Sequence, residues 1–178
     1  MNVKKTALKI DQGYLFSSPV FHDSRGAFEA LWEARFFASP DFKFQPVSAN
    51  HSYNVKQGTI RAFHYQAAPH EQAKLVSCVS GRIWDVMVDL RDDSPTRHQW
   101  SATELAAGDG RSLFIPAGCA HGFATLENNT TVTYLIQGDY VPQASSVVRW
   151  NDPSLGVDWP VKNPILSEKD ARAPFLQD

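Results

Sequence analysis

Seven side chains of this sequence could act together on a small molecule: His64 and His121, Lys74, Asp85 and Asp170, Tyr134 and Tyr140. An imidazole titrates near neutrality and can serve as a base, a phenol on the far side of a bound molecule as an acid, and an ammonium as the partner of a developing oxyanion. A base, an acid and a cation are what removal of a proton next to a carbonyl requires. His64 lies in the strand-like run Gly58-Thr-Ile-Arg-Ala-Phe-His-Tyr-Gln66, where a single histidine taken alone reads as a structural residue. The company of Lys74, the two aspartates and the tyrosines, in an otherwise apolar scaffold, favours chemistry.

Metal binding is the competing use for two histidines among strands. The His-x-His pattern with a nearby Glu is missing, because Tyr65 and Gln66 follow His64, so no metal is expected. Neither glycine-rich phosphate loop, GxGxxG or GxxxxGK[ST], occurs, nor does the GxSxG elbow of serine hydrolases, and no cofactor is expected. Cys78 and Cys119 sit among apolar neighbours outside any CxxC pair and read as small buried residues of a reducing compartment.

Placing these groups falls to short runs rich in Val, Ile, Phe, Trp and Tyr between turn residues, the pattern of an all-β sandwich or barrel. Helical spacing shows only around Leu31 to Phe37. Two turns predict hairpins. Ser80-Gly81 would pair Leu75–Val79 with Ile83–Leu90, setting Asp85 opposite Val76 and Met87 opposite Lys74, with Lys74 and Asp85 diagonal on one face. Asn128-Asn129 would pair Ala120–Leu126 with Thr131–Ile136, setting Phe123 opposite Tyr134 and His121 on the same face.

A chain of 178 residues is close to the ~150 expected of one domain, and its prolines and glycines are spread rather than pooled, so residues 1–178 read as a single unit. With 17 Lys and Arg against 19 Asp and Glu, no cationic field exists for nucleic acid or an anionic membrane. The longest apolar stretches, Leu113–Ile115 and Tyr134–Ile136, fall far short of the ~20 residues of a bilayer span. Lys9 and Asp11 interrupt any signal-peptide core, so a cytoplasmic location is expected.

The order of motifs resembles the dTDP-4-dehydrorhamnose 3,5-epimerase family: Asp23-Ser-Arg-Gly-Ala-Phe28, Asn50-His-Ser52, Arg61-Ala-Phe-His-Tyr-Gln66, Ala73-Lys-Leu-Val76, Asp85 to Arg91 with Ser94-Pro-Thr96, Ile115 to Phe123, Tyr134 to Tyr140 and Leu166-Ser-Glu-Lys-Asp170. The likeness runs from about residue 14 to 176. It implies a cupin-type jelly-roll β-barrel with short peripheral helices, a homodimer exchanging N-terminal strands, and a metal-independent isomerase. The reaction implied is inversion of C3 and C5, or of C3 alone, in a nucleotide-linked 4-keto-6-deoxy sugar, with dTDP the favoured nucleotide.

By the same resemblance His64 is the base, Asp170 orients it, Lys74 meets the oxyanion with Asp85 beside it, and Tyr134 is the acid. Tyr140 stacks on the nucleobase, Asn50, Arg61 and His121 contact substrate, and Arg25 and Phe28 reach the nucleotide across the dimer. Arg61 and His64 have opposite strand parity, which requires a bulge if both are to face the site. Ala30, Ser48 and Ser145 replace longer polar residues of the family pattern, implying a roomier pocket and an altered nucleotide pose, or a GDP- or CDP-linked sugar. A non-catalytic sugar-binding jelly roll is the remaining alternative.

Overall fold

The alternation of side chains along β-strands builds three apolar layers from two sheets. In the computed structural model, which describes residues 3–37 and 42–177, the first sheet runs in the order β1 (Lys4–Ala7), β2 (Tyr14–Ser17), β10 (Arg111–Ile115), β7 (Ala73–Ser80), β12 (Thr130–Gln137) and β5 (Ser48–Asn54). The second runs β13 (Ser145–Val147), β6 (Ile60–Gln66), β11 (Cys119–Thr125), β8 (Arg82–Asp89) and β9 (Trp100–Ala106). Between β2 and β5 the chain makes a two-stranded arm, β3 (Val20–Asp23) and β4 (Gly26–Glu29). It then forms a single helical turn, α1 (Ala34–Phe37), which is what the helical spacing around Leu31 to Phe37 becomes. A second turn, α2 (Glu168–Ala171), lies near the C-terminus. No helix among the described residues is long and apolar enough to cross a membrane.

The sheets face each other as a jelly roll. Their edge β9 lies against β7 and β10, while β5 and β6, with the short β13 beyond it, lie on the opposite side, and hydrogen bonds do not close the whole into a cylinder. Between the sheets pack Val76, Ile83, Met87, Leu113, Phe123 and Val132. Outside the second sheet, Val86, Val88, Ala120 and Ala124 are covered by the C-terminal segment through Val148, Leu155 and Trp159. Outside the first, Phe16, Leu75 and Phe114 are covered by Phe42 and Phe44. Each large apolar side chain so buried contributes ~1.5–3 kcal/mol.

Neither predicted hairpin forms. β7 pairs with β10 and β12, and β8 with β9 and β11, so Asp85 lies opposite Phe123 and Thr103, not Val76. Likewise β11 pairs with β6 and β8, and β12 with β5 and β7, so Tyr134 lies opposite Val76 and Asn50, not Phe123. Ser80-Gly81 and Asn128-Asn129 are corners at which the chain passes from one sheet to the other. Their local chemistry is that of hairpin turns: Gly81 and Asn129 have φ of 73° and 56°, and a Cβ on Gly81 would come within 2.4 Å of Thr130 Oγ1. What decides between hairpin and corner is the supply of long-range partners, which occupy both edges of each strand. The expected neighbours nevertheless face one interior, across the gap instead of along a sheet.

The parity conflict at Arg61 is resolved by a bulge. Along β6 and β11, His64 pairs with His121 and Arg61 with Phe123, so three steps on one strand match two on the other. The consecutive residues Ala62 and Phe63 both join the outer layer, and Arg61 and His64 are left on the inner side. Gly122 permits this close packing: a Cβ there would stand 2.4 Å from Ala62 Cβ and 2.9 Å from Phe63 Cδ1. Gly122→Ala is therefore expected to destabilise the fold by ~1–3 kcal/mol, as overpacking does, and to lower the urea midpoint. An unchanged midpoint would show that the bulge yields without cost.

Candidate active site

Polar side chains are costly between two apolar sheets, ~1–3 kcal/mol for each buried group left unpaired, yet a connected set of them lies there toward the β5/β6 edge. The bulged strand β6 presents His64, whose Nε2 stands 2.8 Å from Asp170 Oδ1. Asp170 is delivered by the C-terminal tail: Thr59 bridges Ile165, the Ser167 hydroxyl caps α2 by accepting from the Asp170 amide, and the carboxylate is buried against the imidazole. With Nε2 donating to the carboxylate, Nδ1 keeps its lone pair and is the nitrogen available to take a proton. The His64 side chain is 41% exposed, whereas His121, next to it on β11, is 5% exposed, so the set opens at His64 and closes behind it.

His121 forms the second imidazole–carboxylate pair, with Nε2 2.5 Å from Asp85 Oδ1, both groups being buried. Burial pushes the His121 pKa down, against the raising influence of Asp85, and Nε2 donates its proton to the carboxylate. Among the described residues Asp85 Oδ2 has no hydrogen-bond partner. Lys74, on β7 of the facing sheet, donates from Nζ to the His64 carbonyl oxygen at 3.3 Å. Loss of hydration draws its ammonium down to about 8, while the charge of Asp85 opposes the fall.

Tyr134 enters from β12, its ring edge-on to His121 at 5.9 Å between centroids and its Oη 2.8 Å from Ser52 Oγ on β5. Burial raises its pKa, and the Ser52 hydrogen bond works the other way. The imidazole of His64 and the phenol of Tyr134 thus come from opposite sheets. A flat carbon centre held between them can lose a proton from one face and gain one on the other.

Arg61, exposed on β6, donates from Nε to Asn54 Oδ1 at 2.8 Å, joining the two sheets at this edge. Asn50, on β5, pairs with Tyr134 and is exposed. Tyr140 is 68% exposed on the loop after β12. That loop is pinned to the end of β6 by Gln66, whose amide donates to the Asp139 carbonyl and whose oxygen accepts from the Val141 amide. Arg25 and Phe28 are not brought to this cluster: they stand exposed on the β3–β4 arm, with Arg25 paired to Asp23 at 2.6 Å. Ser48 begins β5, exposed, Ser145 pairs with Gln66, and Ala30 follows the arm.

Reading the sequence for titratable groups passes over Ser52, Asn54 and Gln66, which hold Tyr134, Arg61 and the Tyr140 loop. The signal for the first two is parity, since Asn50, Ser52 and Asn54 alternate along one strand on the Tyr134 side. Among the described residues no three His, Cys, Asp or Glu side chains converge as a metal would need.

The profile of the dTDP-4-dehydrorhamnose 3,5-epimerase family matches residues 7–178. A dTDP-4-dehydrorhamnose 3,5-epimerase of Shigella flexneri is 40% identical, the match covering 100% of this chain and 97% of the relative. The solved dTDP-4-dehydrorhamnose 3,5-epimerase of Bacillus anthracis, with TDP and PPi bound, superposes with a TM-score of 0.93 at 39% identity, covering 98% of this chain and 99% of the other. A 3'-monoepimerase of Streptomyces bikiniensis in complex with dTDP-quinovose gives a TM-score of 0.85 at 29% identity, over 98% and 87% of the two chains.

The environment of Lys74 fixes a titration. The amine is charged below about 8 and neutral above it. Because the Asp85 charge raises that value, Asp85→Asn is expected to move the transition to lower pH, read by NMR titration of the isotopically labelled lysine ammonium. A transition that moves upward, or stays in place, would show that the two groups do not sense each other.

Proposed function

Because the chain belongs to the dTDP-4-dehydrorhamnose 3,5-epimerase family and is thus an isomerase of nucleotide-linked sugars, we propose that it converts dTDP-4-dehydro-6-deoxyglucose to dTDP-4-dehydrorhamnose by inverting C3 and C5. The observation that carries this reading is the pairing of the oriented imidazole of His64 on one sheet with the phenol of Tyr134 on the other. Both carbons flank the C4 ketone, so one base and one acid serve both in turn. His64 Nδ1 removes the proton, and the electron pair of the broken C–H bond moves into an enolate whose oxygen is met by the Lys74 ammonium. Tyr134 gives its proton to the opposite face, the new C–H bond forms from the enolate electrons, and the ketone returns.

Asp170 holds the imidazole and stabilises its cation. Asp85 keeps His121 in one tautomer and favours the charged form of Lys74. Asn50, Arg61 and His121 bind the substrate, and Tyr140 offers its exposed ring to the nucleobase. The nucleotide named for the relatives above is dTDP, so the short side chains at Ala30, Ser48 and Ser145 are read as trimmed contacts at the rim and not as a change of nucleotide. We place the protein in the cytoplasm on its two buried free thiols, Cys78 and Cys119.

The arm supports a homodimer. Phe21 and Phe28 face each other across β3 and β4 and are 50% and 64% exposed. An isolated two-stranded hairpin is marginal in water, and a second copy would cover these rings and bring Arg25 and Phe28 to the partner's nucleotide. Sedimentation at micromolar concentration is expected to give a dimer that Phe21→Glu with Phe28→Glu dissociates. A stable wild-type monomer would remove the arm from the site.

The mechanism makes separable demands. His64→Ala should lower turnover by at least the ~10²–10⁴-fold owed to a general base, with its melting temperature kept, and Asp170→Asn should also be severe. Tyr134→Phe should slow inversion while solvent deuterium still enters the carbon that His64 deprotonates. Full deuterium exchange in His64→Ala would overturn the assignment of the base.

A further inference from the structure

A phenol that gives a proton to carbon must keep its own O–H turned to the substrate, and its oxygen must be stabilised once that proton has gone. Among the described residues, the sole hydrogen-bond partner of Tyr134 Oη is Ser52 Oγ, at 2.8 Å. Two neighbours fix the serine in place. Its strand β5 is in register with β12, Ser52 opposite Val132 and Asn50 opposite Tyr134, so Ser52 reaches the phenol diagonally. Asn54, 2% exposed, lies one step further on the same face. Its Nδ2 donates to the Thr130 carbonyl at 3.2 Å and to the Ser52 carbonyl at 3.4 Å, and stands 3.5 Å from Ser52 Oγ. Its Oδ1 accepts from Arg61 Nε at 2.8 Å.

Either hydroxyl can be the donor in the Ser52–Tyr134 bond, and the demands of the reaction choose between them. The Asn54 amide nitrogen, 3.5 Å from the serine oxygen and nearer to two carbonyls, leaves the serine proton free to point toward Tyr134. Were the phenol the donor, its proton would be held by Ser52 and kept from the sugar. We propose that Ser52 is the positioning residue of the proton donor: its hydroxyl donates to Tyr134 Oη, aims the phenolic proton at the substrate carbon, and stabilises the phenolate left when the C–H bond forms. Ser52 makes no bond to the sugar in this role. Arg61 and Asn54 complete a hydrogen-bonded line from the second sheet to the acid on the first. The lowering influence of Ser52 on a phenol otherwise raised by burial has the sign this role requires.

This proposal rests on the reading of Tyr134 as the acid, and the test separates the two. Ser52→Ala, Tyr134→Phe and the double variant are compared on dTDP-4-dehydro-6-deoxyglucose for kcat, KM and deuterium wash-in. Ser52→Ala should lower kcat for inversion by roughly 10- to 100-fold, the size of one hydrogen bond to a charged oxygen, with KM near wild type and exchange at the deprotonated carbon retained. In the Tyr134→Phe background the same substitution should change nothing further. The isosteric pair Ser52→Thr and Ser52→Val, which differ by the hydroxyl alone, should divide into active and impaired, and this holds even if Ser52→Ala folds poorly. An equal loss from Ser52→Ala with and without the phenol, a rise in KM at unchanged kcat, or equal activity of the Thr and Val variants would overturn the role of Ser52. Full inversion by Tyr134→Phe would instead overturn the acid itself.

Discussion

A strand has only two faces, and the chemistry of this protein depends on keeping the polar residues of six strands on the inner one. Lys74, Asp85, His121, Tyr134 and Ser52 do so by ordinary alternation, sharing parity with the apolar residues that fill the space between the sheets. His64 cannot share a face with Arg61 that way. The extra residue at Ala62 and Phe63 corrects the mismatch, and Gly122 makes room for it. Losing that one irregularity would turn either the imidazole or the guanidinium into the layer under the C-terminal segment.

Once polar groups are placed in a dry interior, pairing determines their state. The two imidazoles show how different states follow from position: both donate to a carboxylate, but His64 stands at the opening and His121 behind it. The ammonium of Lys74 is drawn down by burial and held up by its neighbour, the buried Asp85 carboxylate, of which one oxygen has no partner among the described residues. Acid and base come from separate sheets, so their spacing is set by the packing of the core, not by either strand alone.

The strand pattern and the bulge between Arg61 and His64 were legible in the sequence, because periodicity and parity are local properties. The pairing of strands was not. Gly81 and Asn129 adopt the conformations their turn chemistry suggests, yet each turns a corner, because strands far away in the chain fill the edges that a hairpin would use. The expected shared faces survived for the simple reason that a corner between facing sheets points alternate residues into the same interior as a hairpin would. Ser52 and Gln66 stand in the motifs without a role, and Asn54 is passed over, because none of the three titrates. Arg25 and Phe28 stand exposed on the arm, away from the cluster, and no local signal carries that.

Asp170 approaches His64 from the far end of the polypeptide, on a tail anchored to the edge of β6 by the Thr59–Ile165 bridge. The imidazole and its carboxylate are 106 residues apart, and the carboxylate belongs to the last turn of helix in the chain. During synthesis every strand of both sheets emerges before it. The base therefore gains its orienting partner only when the C-terminal segment docks, and that same segment covers Val86, Val88, Ala120 and Ala124, so closing the apolar layer and arming the imidazole are one event.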